Sequence, residues 1–258
     1  MQTNEKNCLL SPACELAGVF GKCNKICPFY IYMHGQSGKG GMVGNANIPA
    51  DYSRMTIKNN PIRETQPEVY QQIDKYFEIA QQRLSDPEGE RVRSLYLYSY
   101  SPGTGKTSTA CAIGNSFLVA HFINSMRNGA EIKDDFCYFL DFNLLQSKFA
   151  EFNNPNVPRE IKEPASKEFY HSLKAAKEAK ILILDDIGIR APSDAFQSIA
   201  HDLINHRVVT RMTTLFTSNI EMDDLDEVYD KRLKDRIKDQ CIQIDFYGDS
   251  QRGIRKDF

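Results

Sequence analysis

One short motif limits what this 258-residue chain can fold into more than any other feature. The residues SPGTGKTS, at positions 101–108, follow the apolar run SLYLYSY and precede a stretch of helical spacing that begins near Lys106. A strand, a glycine-rich loop and a helix in this order form a phosphate-binding loop, because backbone N–H groups and a helix amino terminus can surround phosphate oxygens. We therefore expect a nucleotide site where the strand at 94–100 ends.

Each position of this loop has a predicted role. Gly103 and Gly105 let the backbone approach a triphosphate, Lys106 reaches the outer phosphates, and Thr107 offers a hydroxyl ligand to Mg²⁺. The predicted ATP-binding residues are Pro102, Gly103, Thr104, Gly105, Lys106, Thr107 and Ser108. The usual pattern opens with glycine, and Tyr100 stands at that position here. The alternative, a glycine-rich turn with a solvated lysine, is disfavoured by the strand and helix on either side.

Two later strands end in polar residues that a phosphate loop requires. The apolar run ILILDD, at 181–186, places Asp185 where an acid holds Mg²⁺ and Asp186 where an acid orients or deprotonates the attacking water. The run TLFTSN ends in Asn219, whose amide can contact the γ-phosphate or the water. Taken alone, these residues are equally typical of strand-end turns and helix caps. Together with the loop they predict ATP hydrolysis.

The remaining pattern predicts the fold class. Strands at 137–142 and 241–246 join the three already described, and helical spacing is found in the segments between them. The predicted helices cover 66–84, with Pro67 in the first turn, 106–122, 144–152, 165–179, 193–209 and 229–240, with loops at 59–67 and 153–164. Alternating strands and helices predict an α/β domain with a parallel sheet.

Residues 1–50 differ in composition from residues 51–258, and we predict a separate module there. They hold four of the seven cysteines and seven of the fifteen glycines. So short a segment needs something besides a hydrophobic core to fold. Four thiolates from Cys8, Cys14, Cys23 and Cys27 would satisfy tetrahedral Zn²⁺, with His34 as a fifth candidate ligand. The alternative is a flexible arm with free cysteines.

Charge and hydropathy exclude other classes of protein. Thirty-two Lys and Arg against 34 Asp and Glu give a net charge of −2, which excludes a globally basic nucleic-acid binder. No apolar run is long enough to span a bilayer, so we expect no membrane partner. The first residues lack the basic start and apolar stretch of a signal peptide, which predicts a cytoplasmic protein.

The ordered motifs SPGTGKTS, ILILDDIG, TLFTSN, KRLKDRI and FYGDSQR resemble the AAA+ ATPases of the bacterial and phage helicase-loader group, the DnaC and DnaI type, with the transposition helper IstB close by. The resemblance covers about residues 51–258 and implies a RecA-like domain. It implies that Asn219 is the first sensor, Arg236 the arginine finger acting in trans, and Arg252 the second sensor. Arg232 is an alternative finger. Only six residues follow Arg252, so we expect no full helical lid. Asp186 is one methylene shorter than the glutamate common in this group, which predicts slow or partner-stimulated hydrolysis.

The resemblance implies an ATP-dependent helicase loader, encoded by a phage or prophage. Such a protein forms an oligomer, binds the replicative helicase hexamer, delivers it to single-stranded DNA and hydrolyses ATP between subunits. In the DnaI type a zinc-binding amino-terminal module docks on the helicase. The alternatives are an IstB-like ATPase that selects target DNA for a transposase, a small-molecule kinase, and a non-catalytic adaptor that binds ATP as a switch.

Single-stranded DNA has candidate contacts between the two phosphate-site strands. Basic and aromatic side chains interleave there, as they do in proteins that stack bases and attract phosphates. The candidates are Lys148, Phe149, Phe152, Lys167, Phe169 and Lys174, and weaker ones are Arg207 and Arg211. The alternative is that the aromatic rings face the core at helical spacing.

Overall fold

A five-stranded parallel sheet forms the centre of the molecule, as the sequence predicts. The computed structural model describes residues 3–84, 92–188 and 192–250. The strands are β1 (Ser94–Tyr98), β2 (Cys137–Asp141), β3 (Ile181–Asp185), β4 (Thr213–Ser218) and β5 (Cys241–Asp245). Their order is β2-β3-β4-β1-β5, and every neighbouring pair is parallel. The carboxyl ends of β1, β3 and β4 therefore lie side by side at one edge.

Helices cover both faces of this sheet. They are α1 (Pro28–His34), α2 (Gly41–Asn45), α3 (Ile62–Thr65), α4 (Pro67–Leu84), α5 (Lys106–Asn128), α6 (Phe142–Asn153), α7 (Arg159–Glu178), α8 (Asp194–Val209) and α9 (Lys231–Gln240). Short 3-10 turns lie at Glu5–Asn7, Ser11–Ala13, Ala50–Tyr52 and Met222–Glu227. None of the helices within the described ranges has the length and apolar character needed to cross a membrane.

Alternating residues of the strands divide the core in two. On one face, Leu95 and Leu97 of β1 belong to a buried cluster with α4, α5 and residues before position 50. On the other face, Tyr96 of the same strand belongs to a cluster with α6, α7, α8 and α9. The sheet is therefore covered on both sides, which explains why β3 is apolar at consecutive positions.

The predicted loop at 59–67 was wrong, because this segment is packed. It contains α3, and Asn60 is buried and directs its amide at the Thr109 hydroxyl, 3.5 Å away. Arg63 donates to Asp74 of α4 at 2.9 Å. The side chain of Ile62 lies so close to Gly105 that a Cβ built on that glycine would be 2.7 Å from it. The segment therefore lies against the phosphate-binding loop.

Two predicted helix boundaries also need correction. Helix α5 continues past residue 122 to Asn128 and ends at Gly129, whose φ of 61° is a left-handed conformation suited to a helix end. Helix α7 begins at Arg159 within the predicted loop and includes Pro164. Proline removes one helical hydrogen bond, but this turn lies near the exposed start of a helix that packs on α6 and α8 further along. Tertiary packing therefore outweighs the local signal.

Residues before position 50 pack on the rest of the chain. Ala46 accepts a hydrogen bond from the Phe139 N–H of β2 at 2.8 Å, and the Asn47 amide donates to the Phe139 carbonyl at 3.0 Å. On α5, the ring of Phe122 contacts those of Phe29 and Tyr32, with centroids 6.1 and 5.7 Å away. This part of the chain thus covers the outer edge of β2 and the distal half of α5.

Candidate nucleotide site

The loop after β1 has the curvature that a phosphate requires. Gly103 and Gly105 have φ angles of 78° and 102°, values that residues with a Cβ rarely adopt. The backbone N–H groups of Gly103, Thr104 and Gly105 donate to no other residue within the described ranges. These donors point from a loop at the amino terminus of α5, where the helix dipole favours an anion. The loop therefore fits the phosphates of a nucleotide.

Tyr100 replaces the opening glycine of the usual pattern without filling the loop. Its side chain is 85% exposed, so it is not packed inside the loop. Pro102 is also exposed, whereas Thr104 is buried and its hydroxyl is among the buried polar atoms without a partner in the described structure. Ser108 donates to the Gly105 carbonyl at 3.0 Å and so supports the first turn of α5.

Lys106 and Asn219 converge on the same part of the loop. The buried Lys106 ammonium donates to the Ser99 and Ser101 carbonyls at 3.4 and 3.2 Å. The Asn219 amide donates to the Ser99 and Tyr100 carbonyls at 2.9 and 3.2 Å. A phosphate oxygen would compete with these carbonyls for both donors. The predicted lysine and sensor therefore lie together, although one begins α5 and the other follows β4.

Thr107 and Asp185 are also adjacent. The Thr107 hydroxyl donates to Asp185 Oδ1 at 2.8 Å, and Asp185 is buried. Burial raises the pKa of Asp185 to about 6, the nearby Asp186 acts in the same direction, and the Thr217 and Thr107 hydroxyls oppose them. A hydroxyl and a carboxylate in contact are oxygen ligands of the kind that Mg²⁺ prefers. These two residues therefore fit the predicted magnesium site.

Asp186 begins the turn after β3 in a conformation that is uncommon for residues other than glycine. Its φ is 59°, in the left-handed region where aspartate and asparagine are the better tolerated residues. The Asn143 amide of α6 lies 3.4 Å from the Asp186 carbonyl, and the Thr217 hydroxyl accepts from its N–H at 2.9 Å. The second acid therefore lies half-buried at the same edge as Lys106 and Asn219.

Sequence reasoning missed several residues of this site. Thr217 contacts both acids, Asn143 contacts the turn that carries Asp186, and Ile62 lies over Gly105. Asn143 lies two residues after the end of β2, so the same search for polar residues at strand ends that identified Asn219 would have identified it. Thr217 gives a weaker signal, because a β-branched residue inside a strand is explained by strand propensity alone. Nothing local indicates Ile62.

Arg236 and Arg232 both lie on α9. The half-buried Arg236 borders a small cavity with Ser94 and Thr214, which lie at the amino ends of β1 and β4. Strands rise about 3.3 Å per residue, so this edge is roughly 15 Å from the carboxyl edge that carries Lys106. Arg236 is therefore not placed to serve the nucleotide site of its own chain. Arg232 is exposed in the first turn of α9. The predicted second sensor, Arg252, lies outside the described residues.

The structure does not support the predicted zinc site. Cys8, Cys14, Cys23 and Cys27 are half-buried free thiols that border one cavity of about 360 Å³. Yet no group of three or more His, Cys, Asp or Glu side chains in residues 3–84, 92–188 and 192–250 is arranged to hold a metal ion. His34 is engaged elsewhere, because its Nε2 accepts from the Leu9 N–H at 2.9 Å. The side chains as placed therefore do not fit Zn²⁺.

Most of the candidate DNA contacts have structural roles. Phe169 is buried, and Phe149 and Phe152 pack against it with ring centroids 5.6 and 5.2 Å away. Lys148 pairs with Glu168 at 2.7 Å. Arg207 is also buried and donates to the Ala176, Ala179 and Thr213 carbonyls, whereas Arg211 is exposed. The alternative that the aromatic rings face the core is therefore confirmed for these three phenylalanines.

Solved structures with the same fold include replication proteins. DnaI is 19% identical, with a TM-score of 0.55, and the match covers 81% of this chain and 99% of that chain. A putative primosome component from Streptococcus pyogenes serotype M3 is 20% identical, with a TM-score of 0.52, and the match covers 82% and 97%. AMPPCP-bound DnaA from Aquifex aeolicus is 16% identical, with a TM-score of 0.50, and the match covers 77% and 51%.

No family model matches this chain, and no curated protein matches it in sequence. At these identities the likeness concerns the fold alone. The chain has the fold of DnaI and of the putative primosome component, and the resemblance to the DnaI type that the motifs predict is confirmed at the level of the fold.

Proposed function

We propose that this protein is an ATP-dependent helicase loader that acts in the initiation of DNA replication. The observation that carries the proposal is the convergence of Lys106, Thr107, Asp185 and Asn219 at one edge of the sheet. This occurs in a fold shared with nearly the whole length of DnaI and of a putative primosome component. A helicase loader acts on the chromosome of the bacterial cell, so the proposal includes a cytoplasmic location. It also includes a gene of phage or prophage origin.

The chemistry that we propose is ATP hydrolysis. The N–H groups of residues 103–105 and the Lys106 ammonium bind the phosphates, and Thr107 and Asp185 hold Mg²⁺, which neutralises charge on the phosphate oxygens when bound. Asp186 accepts a proton from the attacking water or orients it, and Asn219 positions the γ-phosphate. A shorter acid than glutamate in this role makes slow turnover the expected behaviour.

We further propose that the complete site lies between two copies of the chain. Arg236 is separated from the Lys106 of its own chain by the length of the sheet. Asp186 is a carboxylate, so it cannot neutralise the negative charge that develops on the transferred phosphoryl group. An arginine supplied by a neighbouring subunit stabilises such charge in related chemistry. Self-association therefore belongs to the proposal, and Arg252 is proposed as a further phosphate contact.

Single-stranded DNA is the proposed second partner, and the exposed face of α7 is its proposed contact. Tyr170 is 60% exposed, and Lys167 and Lys174 lie three and four residues from it on the same face. A ring available for stacking between two ammonium groups is typical of proteins that bind single strands without sequence preference.

The amino-terminal residues are proposed to contact the helicase. Five large apolar side chains are exposed there, and exposed apolar surface of this kind commonly marks an interaction site. They are Leu16, Val19, Phe20, Ile26 and Phe29. Zn²⁺ stays a prediction from the sequence that the placement of these side chains in the described residues does not support.

A mixing experiment tests the proposed function. The purified protein is combined with the hexameric replicative helicase of its host, with and without ATP and Mg²⁺, and native mass measurement reports any defined complex. We expect a complex that captures a labelled single-stranded oligonucleotide in the presence of ATP. The Lys106→Ala variant should lose ATP binding and hydrolysis by about 100-fold or more, because the phosphates lose their ammonium partner.

Other outcomes would select the alternatives. No helicase complex together with binding to a transposase would indicate the transposition helper. Full helicase loading by Lys106→Ala would exclude ATP-driven loading and indicate an adaptor.

A further inference from the structure

Thr217 is a buried polar residue in the middle of the sheet, and its hydroxyl touches both acids of the nucleotide site. Its Oγ1 donates to Asp185 Oδ1 at 2.6 Å and accepts from the Asp186 N–H at 2.9 Å. Its backbone carbonyl accepts from the Ile187 N–H at 3.0 Å. Thr217 therefore makes hydrogen bonds to three consecutive residues, Asp185, Asp186 and Ile187, at the end of β3.

The geometry at Asp185 distinguishes two hydroxyl donors. Thr107 and Thr217 both donate to Oδ1, at 2.8 and 2.6 Å. Thr107 is also the proposed Mg²⁺ ligand, and its hydroxyl can coordinate the metal through its oxygen while it still donates its proton to Asp185, so its position would depend on the ion. Thr217 is fully buried and, among the described residues, contacts no proposed metal or phosphate ligand other than Asp185. Its bond therefore holds the carboxylate orientation independently of the ion.

We infer that Thr217 is a positioning residue that orients Asp185 for Mg²⁺ and fixes the backbone of Asp186 for the attacking water. The inference rests on the proposed ATP site. Hydrogen bonds to a ligating carboxylate restrict its orientation, and their loss typically weakens metal binding by about 10- to 100-fold. Thr217 lies two residues before Asn219, which directly follows β4, so this strand joins the proposed sensor to both acids.

The variants separate the hydroxyl from the packing of the side chain. Thr217→Val keeps the branched shape and removes the hydroxyl, and Thr217→Ser keeps the hydroxyl and removes the methyl group. The matched control is Thr213→Val, on the same strand, where an equally buried hydroxyl donates to the Val92 carbonyl at 3.1 Å, far from the acids. Should Thr217→Val melt well below the control, Thr217→Cys, which is close to it in size and a weaker donor, takes its place.

The measurement is the affinity for a fluorescent ATP analogue, in EDTA and over a Mg²⁺ titration, followed by hydrolysis rates. In EDTA we expect every variant to bind within about threefold of the native protein, because Thr217 contacts no predicted phosphate ligand. For Thr217→Val, the Mg²⁺ concentration at which the gain in affinity for the ATP analogue is half complete should rise about tenfold or more. Thr217→Ser and Thr213→Val should stay near the native value.

Two results would overturn the inference. An unchanged Mg²⁺ requirement in Thr217→Val would show that the hydroxyl does not orient Asp185. An equal loss in Thr213→Val or in Thr217→Ser would show that strand packing, and not this hydroxyl, is responsible. If the native protein itself bound no nucleotide, that result would contradict the proposed function, and it would contradict this inference as well because the inference rests on the same site.

Discussion

His34 is a buried residue whose protonation links folding to pH. It is 3% exposed, and its Nε2 accepts from the Leu9 N–H at 2.9 Å, so the ring is neutral in this arrangement. Burial lowers the pKa of His34 to about 4, and the positive charge of Arg54 acts in the same direction. In the unfolded chain the ordinary histidine value of about 6.5 applies. The unfolded state therefore binds a proton first as pH falls.

This difference predicts a loss of stability in mild acid. The contribution of neutral His34 is fully present above pH 6.5 and is lost as pH falls toward about 4. At pH 5 the loss is about 2 kcal/mol. Urea unfolding at pH 7 and pH 5 should show it in the native protein, and His34→Gln, which keeps an acceptor, should show a smaller difference. The exposed His171→Gln serves as the control, and a native-sized difference in His34→Gln would contradict the prediction.

At the scale of elements, α9 is held as a rigid carrier of its arginines. Asp230 caps the helix by accepting from the Leu233 N–H at 2.9 Å, and its other oxygen lies 2.9 Å from His201 of α8. Lys234 donates to Asp226 at 2.6 Å in the 3-10 turn that follows Asn219. The helix is thus tied to α8 and to the turn that follows β4 in its own chain, while Arg236 borders the opposite edge of the sheet.

The position of α9 predicts complementation between two inactive variants. Lys106→Ala and Arg236→Ala should each hydrolyse ATP at a small fraction of the native rate. Mixing them should restore part of the rate, because some interfaces then combine an intact Lys106 with an intact Arg236 from the next subunit. Arg232→Ala is the matched control and should keep near-native hydrolysis. Strong loss in Arg232→Ala with normal Arg236→Ala would assign the finger to Arg232, and no recovery on mixing would argue against a shared site.

The elements that could be predicted are those whose signal is local. Runs such as ILILD and the glycines of SPGTGKTS specify strands and a loop within a few residues, and the structure places them as expected. Thr217 and Ile62 could not be predicted as site residues, because their contacts depend on β3 lying beside β4 and on α3 folding over the loop. Chain order favours the pairing of β3 with β4, but it specifies neither the register that brings Thr217 to the two acids nor the position of α3. The start of α7 before Pro164 was missed for the same reason.

At the scale of the whole molecule, the first 50 residues and the rest of the chain share one core. Leu9, Leu10, Met33 and Met42 are buried in the same cluster as Ile73 and Phe117. Burying one such side chain contributes about 1.5–3 kcal/mol, so the shared surface is a large part of the stability expected of a domain. The division into a module at residues 1–50 and a domain at residues 51–258 stays a prediction.

The shared core predicts one unfolding transition for both parts. Thermal unfolding followed by circular dichroism and by the reactivity of the four amino-terminal thiols should give the same midpoint. The Phe122→Ala variant, which removes the ring between Phe29 and Tyr32, should lower both midpoints together. The exposed Tyr170→Ala is the control and should leave them unchanged. Thiols that react well below the main transition would instead indicate a module that unfolds independently.

The bonds that Ala46 and Asn47 make to Phe139 have a consequence for the solubility of shortened chains. An outer strand with free N–H and C=O groups is a template for pairing with another chain, and β2 is the outer strand on its side of the sheet. A fragment that begins at residue 51 would present that edge together with the apolar flank of α5. By covering the edge of β2, the amino-terminal segment therefore protects the sheet from pairing with another chain and so from aggregation.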